Sequence, residues 1–441
     1  SQQYSQIQSG AQSGGVDKGF YIDAGLAYKM GTWQFDMNSA GSKLHYDNLS
    51  WGVFDIQAGY NFSVGNTKMV LDAGFEYGMQ LGESTMIDDD ITNGGFKYAE
   101  WPDDTIAGVN YAEYLHSLSI GTTKDGDMLG LRAGIGLKDF FTWGRVKVTP
   151  SIGWRHLNYK LETTNNYGST IATVEGNDGC VSVDGMTQCW PAIAFFHVVN
   201  PGTQDAYAQY SYGKFQYIDM DGDEYADVIG IPLNVSGEQY VDVPESLYFH
   251  QSDVSHSYDV TWTGPYLAMD MLYDINVHNS VTARVELGLP MYKATADQPY
   301  RTEWQHPKSI EDTGDFGSAI HFGLGANWRT ALTDKVSLSL GVTYDYYNVS
   351  NATADTYLNP EYYQAVYNSI LSAYIEEFGQ DNAENYMLNG FKGDDGKLYA
   401  PDYEAVYIND VRNNGWKDTM KDEINSFFQS LGVRVGLNIR F

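Results

Sequence analysis

A chain of 441 residues is long enough for one large or two to three ordinary domains, and composition narrows the field: 35 Tyr and 46 Gly accompany only 26 Lys and Arg, against 57 Asp and Glu. The formal net charge of −31 at pH 7 excludes nucleic acid as a partner, because phosphate binding needs clustered Lys and Arg. No apolar run approaches the roughly 18 residues a transmembrane helix needs, which excludes a helical membrane protein.

Residues 1–18 begin with the polar stretch SQQYSQIQSGAQSGG, which lacks the basic-then-apolar character of a secretory leader and reads as a flexible segment at the start of a mature chain. Period-two alternation then predicts strands near 19–36, 43–62, 67–83, 111–138, 145–163, 257–275, 280–296, 316–331, 335–350 and 426–441. The last is the clearest: Leu431, Val433, Val435, Leu437, Ile439 and Phe441 share one face, with Gly432, Arg434, Gly436, Asn438 and Arg440 on the other. The same split runs through Ile320–Trp328 and Val336–Tyr346, and through 281–291 with Arg284 and Glu286 on the polar face. A Gly-rich, Arg-bearing face opposite an apolar one suits a barrel whose outside meets lipid and whose lumen is polar. Tyr346, Trp328 and Phe441, at ends of apolar faces, would sit at the membrane interfaces.

The joints alternate in length. Short turns fall at 61–68, 141–145, 274–280 and 332–335; long insertions fall at 84–110, 164–256, 297–315 and 351–425, with a shorter one at 37–42. That is the sidedness of an outer-membrane barrel with periplasmic turns and extracellular loops. The fold class expected is therefore all-β: a ten-stranded antiparallel transmembrane barrel over 19–441, with large extracellular insertions, one partly helical.

The 164–256 insertion carries thirteen acidic residues and one basic residue, Lys214. Its cysteines, Cys180 and Cys189, stand close together in a polar, Gly-containing stretch, a spacing that suits a disulfide-closed loop, with two free thiols or a metal pair as alternatives. Downstream, DMDGDEYAD places Asp219, Asp221, Asp223 and Asp227 where alternate carboxylates converge on one hard cation, with the Tyr225 carbonyl as a further ligand. Ca2+ is the expected ion and an unoccupied acidic turn the alternative; an EF-hand fits poorly, because Glu224 stands where its Gly belongs. In the 351–425 insertion, residues 360–378 put Tyr363, Val366, Tyr367, Ile370, Leu371, Tyr374 and Ile375 on one helical face, which predicts an amphipathic helix packed on the neighbouring loop.

The order of motifs resembles that of the omptin family of outer-membrane barrels. SKLHYDN (42–48), MIDDDI (86–91), WPDDTIAGVNYAEY (101–114), GPYLAMDMLYDI (264–275) and ADQPY (296–300) fall, strand by strand, where omptins carry similar stretches. Omptins are surface proteases in which two aspartates face an Asp–His pair that activates a water. The resemblance implies Asp88 and Asp90 for the first pair and Asp297 for the aspartate of the second. Pro299 occupies the histidine position and offers no proton acceptor, so the base is missing there. His306, on the same loop, and His256, at the start of the next strand, are the candidate replacements; otherwise Asp88, Asp89 and Asp90 read as a solvated acidic tip or a cation ligand.

The expected function is that of a non-proteolytic barrel in the bacterial outer membrane, in contact with its lipid and lipopolysaccharide. It would display a calcium- and disulfide-braced cap for surface structure, a cell-surface protein partner or self-association. The rival readings are an omptin-type endopeptidase using Asp88, Asp90 and Asp297, and a narrow porin in which Arg284, Glu286, Arg329 and Arg434 pair across the lumen.

Overall fold

The computed structural model describes residues 19–38, 42–93, 112–183, 186–199, 206–211, 216–218, 228–230, 240–242, 248–251, 253–393 and 396–441, and side chains over 19–38, 42–88, 119, 121–166, 253–393 and 396–441. Thirteen of the main sheet's eighteen described strands make up its circuit: β1 (Gly19–Met37), β2 (Ser42–Val64), β3 (Thr67–Gln80), β4 (Ser84–Asn93), β5 (Ala112–Leu137), β6 (Val146–Val183), β7 (His256–Asp274), β8 (Asn279–Gly288), β9 (Met291–Asp297), β10 (Ile310–Gly314), β11 (Ala319–Ala331), β12 (Val336–Tyr357) and β13 (Lys417–Arg440). Three neighbours are collinear pieces of one span: β3 with β4, β8 with β9, and β10 with β11. The break at Pro290 has a plain cause, since proline gives the ladder no donor.

Every pairing is antiparallel. β1 pairs with β2, β2 with β3 and β4, these with β5, β5 with β6, and β6 with β7. β7 continues to β8 and β9, these to β11 and β10, both to β12, and β12 to β13. The last strand returns to the first over Tyr21↔Arg440 to Met37↔Ile424, so the ladder has no free edge where chain start and chain end meet.

The two faces of this ladder are chemically opposite. Along β13, Leu431, Val433, Val435, Leu437 and Ile439 are 39–53% exposed on the outside, whereas Gly432, Gly436 and Asn438 are buried inside. Leu26, Met30, Phe54, Leu71, Leu131, Ile152, Leu267, Leu324 and Leu340 extend the same apolar belt around the outside. The apolar face expected from alternation is thus the outer one. Burying polar groups and exposing leucines is unfavourable in water and favourable in lipid.

Beyond this belt, toward the long loops, the strands run further than alternation suggested. Residues 84–93, 164–183, 310–314, 351–357 and 417–425, expected as loop, are strand. The 360–378 helix is found as α1 (Pro360–Phe378), capped by Asn359, whose side chain accepts from the backbone N–H groups of Glu361 and Tyr362. Its apolar face packs on α2 (Gln380–Asn389) and α3 (Tyr403–Asn413): Tyr367, Met387, Ala405 and Ile408 form a small core of their own.

Candidate functional site

Two layers fill the barrel. Across the apolar belt lies an ion-pair network. Arg434 holds Asp23 at 2.6 Å and Asp55 at 2.8 Å, Arg329 reaches Asp23 at 3.3 Å, and Lys29 meets Glu76 at 2.7 Å. Glu286 is gripped by Arg155 at 2.7 Å and Arg284 at 2.9 Å, and Arg284 also binds Asp270 at 2.7 Å. The residues expected to pair in the lumen do pair: Arg284, Arg329 and Arg434 each with a carboxylate, and Glu286 with two guanidinium groups. A cavity of about 140 Å³ lies among Lys29, Asp55, Glu76, Arg132, Arg284 and Arg434.

Above it, toward the loops, aromatic rings replace charge. Trp33 packs on Tyr46 at 5.3 Å and on Tyr258 at 5.0 Å, Tyr159 on Phe428 at 4.6 Å, and Trp262 on Tyr292 at 4.6 Å and Tyr347 at 5.5 Å. All eight of these rings are buried. His321 joins the layers: it stacks on Tyr347 at 4.1 Å, and its Nε2 meets Asp345 at 2.9 Å.

The predicted catalytic residues lie above the rings, in two separate pairs. Asp88, on β4, faces the fully buried His256 at the start of β7, with His256 Nε2 to Asp88 Oδ2 at 3.6 Å, beyond hydrogen-bond distance. His256 Nδ1 meets Ser255 Oγ at 2.9 Å. Asp297, at the end of β9, binds His306 Nδ1 at 2.6 Å and receives the Ser309 hydroxyl at 2.9 Å. A histidine therefore does stand on Asp297, although Pro299 occupies the aligned position. Its chemistry is nonetheless occupied: Nε2 lies 3.0 Å from the Arg301 carbonyl, which only accepts, so both ring nitrogens of His306 face acceptors. A general base needs a nitrogen free to take a proton. As placed, His306 ties down the loop from 298 to 309.

Asp90 is opposed to Ser42 in the β2–β4 register, and its side chain lies outside those described. The proposed calcium ligands Asp219, Asp221, Asp223, Tyr225 and Asp227 lie wholly outside the described residues. Cys180 and Cys189 are directly opposed in register between β6 and the strand Met186–Val199, and their side chains are likewise outside those described. Among the described residues there is no group of three or more His, Cys, Asp and Glu able to hold a metal. What sequence reasoning missed is the aromatic layer, whose signal is the dense set of Trp and Tyr on β1, β2, β6, β7 and β12.

Among solved structures the chain is similar to the outer membrane protease OmpT from Escherichia coli, with a TM-score of 0.48 and 9% identity over 96% of this chain and 97% of that one. It is also similar to the translocator domain of the autotransporter NalP from Neisseria meningitidis (TM-score 0.23, 6% identity, 100% of this chain and 94% of that one). A third is the Ralstonia pickettii toluene transporter TbuX (TM-score 0.22, 8% identity, 96% and 90%). At these scores the likeness assigns no role to any residue. No curated protein matches in sequence. The family model described as Pom, Protochlamydia outer membrane protein, matches residues 104–370, more than half of the chain. With its closed circuit of strands and its outward apolar belt, the chain is an outer-membrane β-barrel protein, and it belongs to the Protochlamydia outer membrane protein family.

Proposed function

We propose that this protein is a ten-stranded transmembrane barrel that works as a filled, rigid anchor, holding a large structured cap outside the cell. The count of ten follows from joining the three collinear strand pairs in the pairing circuit. One observation carries the reading: the lumen is packed twice over, by the paired charges around Glu286 and Arg434 and by the ring layer around Trp33 and Trp262. A barrel with an interior solid to this degree is a support.

The cap is where partners would bind: lipopolysaccharide at the membrane surface, a cell-surface protein, or a second copy of the chain. Direct opposition of Cys180 and Cys189 in an antiparallel register supports a bracing disulfide. The Asp219 to Asp227 spacing supports a bound Ca2+. The helical core around Tyr367 and Met387 supports a cap that is folded in its own right.

A narrow porin is the second reading, favoured by the 140 Å³ charged cavity inside the barrel. Proteolysis is disfavoured by the engagement of both His306 nitrogens. The test is made on the refolded full chain: single-channel recording in planar bilayers, and cleavage of a peptide library with and without calcium. The anchor reading expects neither current nor cleavage. Steady unitary current would establish the porin, and specific cleavage lost on Asp297→Ala would establish the protease.

A further inference from the structure

At the loop end of the barrel, four adjacent strands bring together polar side chains that the ion-pair network does not use. Asp88 (β4) is opposed to Ser119 (β5), and Asn166 (β6) reaches the Ser119 hydroxyl through Nδ2 at 3.4 Å. His256 (β7) is opposed to Thr163, which precedes Asn166 on β6. Asn166 and His256 are fully buried. A bulge turns Asn166 inward: the β5–β6 register shifts between Ile120 and Thr122, and Asn165 takes a positive φ of 51°. Gly121 keeps the approach open, since a Cβ there would stand 2.3 Å from Thr163 Cγ2 and 3.2 Å from Asn166 Oδ1.

The hydrogen bonds leave acceptors facing acceptors. Ser255 Oγ donates to the Thr163 carbonyl at 3.3 Å, so His256 Nδ1, 2.9 Å from the same hydroxyl oxygen, carries the proton and donates to it. In that tautomer Nε2 is an acceptor. It is buried, has no hydrogen-bond partner among the described residues, and lies 3.6 Å from Asp88 Oδ2, a second acceptor. Asn166 Oδ1 is likewise buried and without a partner among the described residues. Arg301, on the neighbouring loop, bonds Glu303 at 3.4 Å and stacks on Trp304 at 4.2 Å rather than bonding Asp88. Buried acceptors without a donor are unfavourable, and a cation among them removes the penalty. The 3.6 Å separation is also the span of a chelate. Two atoms each about 2.1 Å from one ion stand roughly 3.4 Å apart at the tetrahedral angle and about 3.6 Å apart at 120°. An Nδ1–H held by a polar neighbour is the usual support of a metal-bound imidazole.

We propose that Asp88 Oδ2, His256 Nε2 and Asn166 Oδ1 form a site for one divalent transition-metal ion of the Zn2+ class, clasping the loop ends of β4, β6 and β7. The set holds one carboxylate and one imidazole and is completed by an amide oxygen. An imidazole suits such an ion better than Ca2+, which takes about six to eight oxygens. The site is distinct from the Asp219 to Asp227 stretch and does not depend on the anchor reading, because it stands on strand pairing and hydrogen bonding alone.

The test is equilibrium dialysis of the refolded full chain, stripped with chelator, against micromolar ZnCl2 in millimolar CaCl2, with bound zinc counted by elemental mass spectrometry. About one Zn2+ per chain should be retained, and Asp88→Asn, His256→Gln and Asn166→Leu should each weaken it by at least roughly tenfold. His306→Ala, and Cys180→Ser with Cys189→Ser, should leave it unchanged. No retained zinc, or an affinity untouched by any one of the first three substitutions, overturns the proposal. Loss on His306→Ala or on the double cysteine substitution also overturns it, by placing the ion on the Asp297 pair or on the thiols. Heat-modifiable migration is read on every sample, so that an unfolded chain is told apart from a folded one that binds nothing. Should His256→Gln fail to fold, the wild type still answers: X-ray absorption of its bound Zn2+ should show an imidazole, and a shell of oxygen alone overturns the assignment.

Discussion

At the scale of single residues, burial decides what each carboxylate does. Asp312, on β10 beyond the apolar belt, is 2% exposed, and its Oδ1 has no hydrogen-bond partner among the described residues. Burial, then the neighbouring charges of Glu311 and Asp355, push its carboxyl up to about 7. Because the folded value lies above the ordinary one, Asp312 stabilises fully below about pH 4 and loses that contribution as pH rises through 7. Asp312→Asn should therefore match the wild type in urea unfolding at pH 4 and exceed it at pH 8, with a gain of up to roughly 4 kcal/mol. A gain of the same size at both pH values would refute the argument. Glu311 is the contrast. Mostly buried but not enclosed, it feels burial first, which raises it, but hydrogen bonds from Lys308 and Lys293 outweigh this and hold its carboxyl low. Sequence order located Asp88 and Asp297 and offered His306 and His256 as partners without choosing between them, because His306 returns to Asp297 through turns at 298–304 that spacing does not reveal.

Between residues and molecule, the elements explain which strands were legible. Within the belt, the outward residues of β12 are Leu338, Leu340, Val342, Tyr344 and Tyr346; beyond it, the buried residues are Tyr347, Val349, Ala352 and Ala354. The apolar set changes from the outer face to the inner one along a single strand. Alternation read as one continuous pattern ends at that reversal, which is why 351–357 and 417–425 were expected as loop. α1 was legible because it is long and rich in apolar residues, and Asn359–Pro360 starts it, whereas α2 and α3 are short and polar. The helices also make a testable unit. Met387 is completely buried among Tyr367, Ala405 and Ile408, so Met387→Ala should cost about 2–5 kcal/mol. Because that core is separate from the barrel cluster, the loss should be local: limited proteolysis should cut within 360–413 while heat-modifiable migration persists. Loss of both together would show one cooperative unit instead.

Across the whole molecule, charge is sorted by compartment. The lumen balances seven acidic residues, Asp23, Asp55, Asp72, Glu76, Asp270, Glu286 and Asp345, against six basic ones, Lys29, Arg132, Arg155, Arg284, Arg329 and Arg434. Around the short turns Lys68, Lys138, Arg145, Lys147, Lys335 and Arg440 outnumber Asp139, Asp274 and Asp334, so the excess of −31 resides in the loop half. Balance in the lumen means that removing one member harms the rest. Glu286 is 1% exposed and neutralises two guanidinium groups, so Glu286→Ala leaves Arg155 without its carboxylate and Arg284 with Asp270 alone. Breaking a buried pair from one side costs about 3–5 kcal/mol, more than the same pair contributes relative to apolar replacements. The urea midpoint should fall accordingly. The current, however, should stay at zero, because the Trp33 and Trp262 layer still closes the loop side of the lumen. Trp33→Ala with Trp262→Ala, leaving Glu286 in place, should also remain closed, since the ion pairs bar the way from the turn side. Only the triple substitution removes both barriers in series, and planar-bilayer recording should then show current. Current in either simpler variant would mean that one layer alone seals the barrel, and the other would then owe its place to stability.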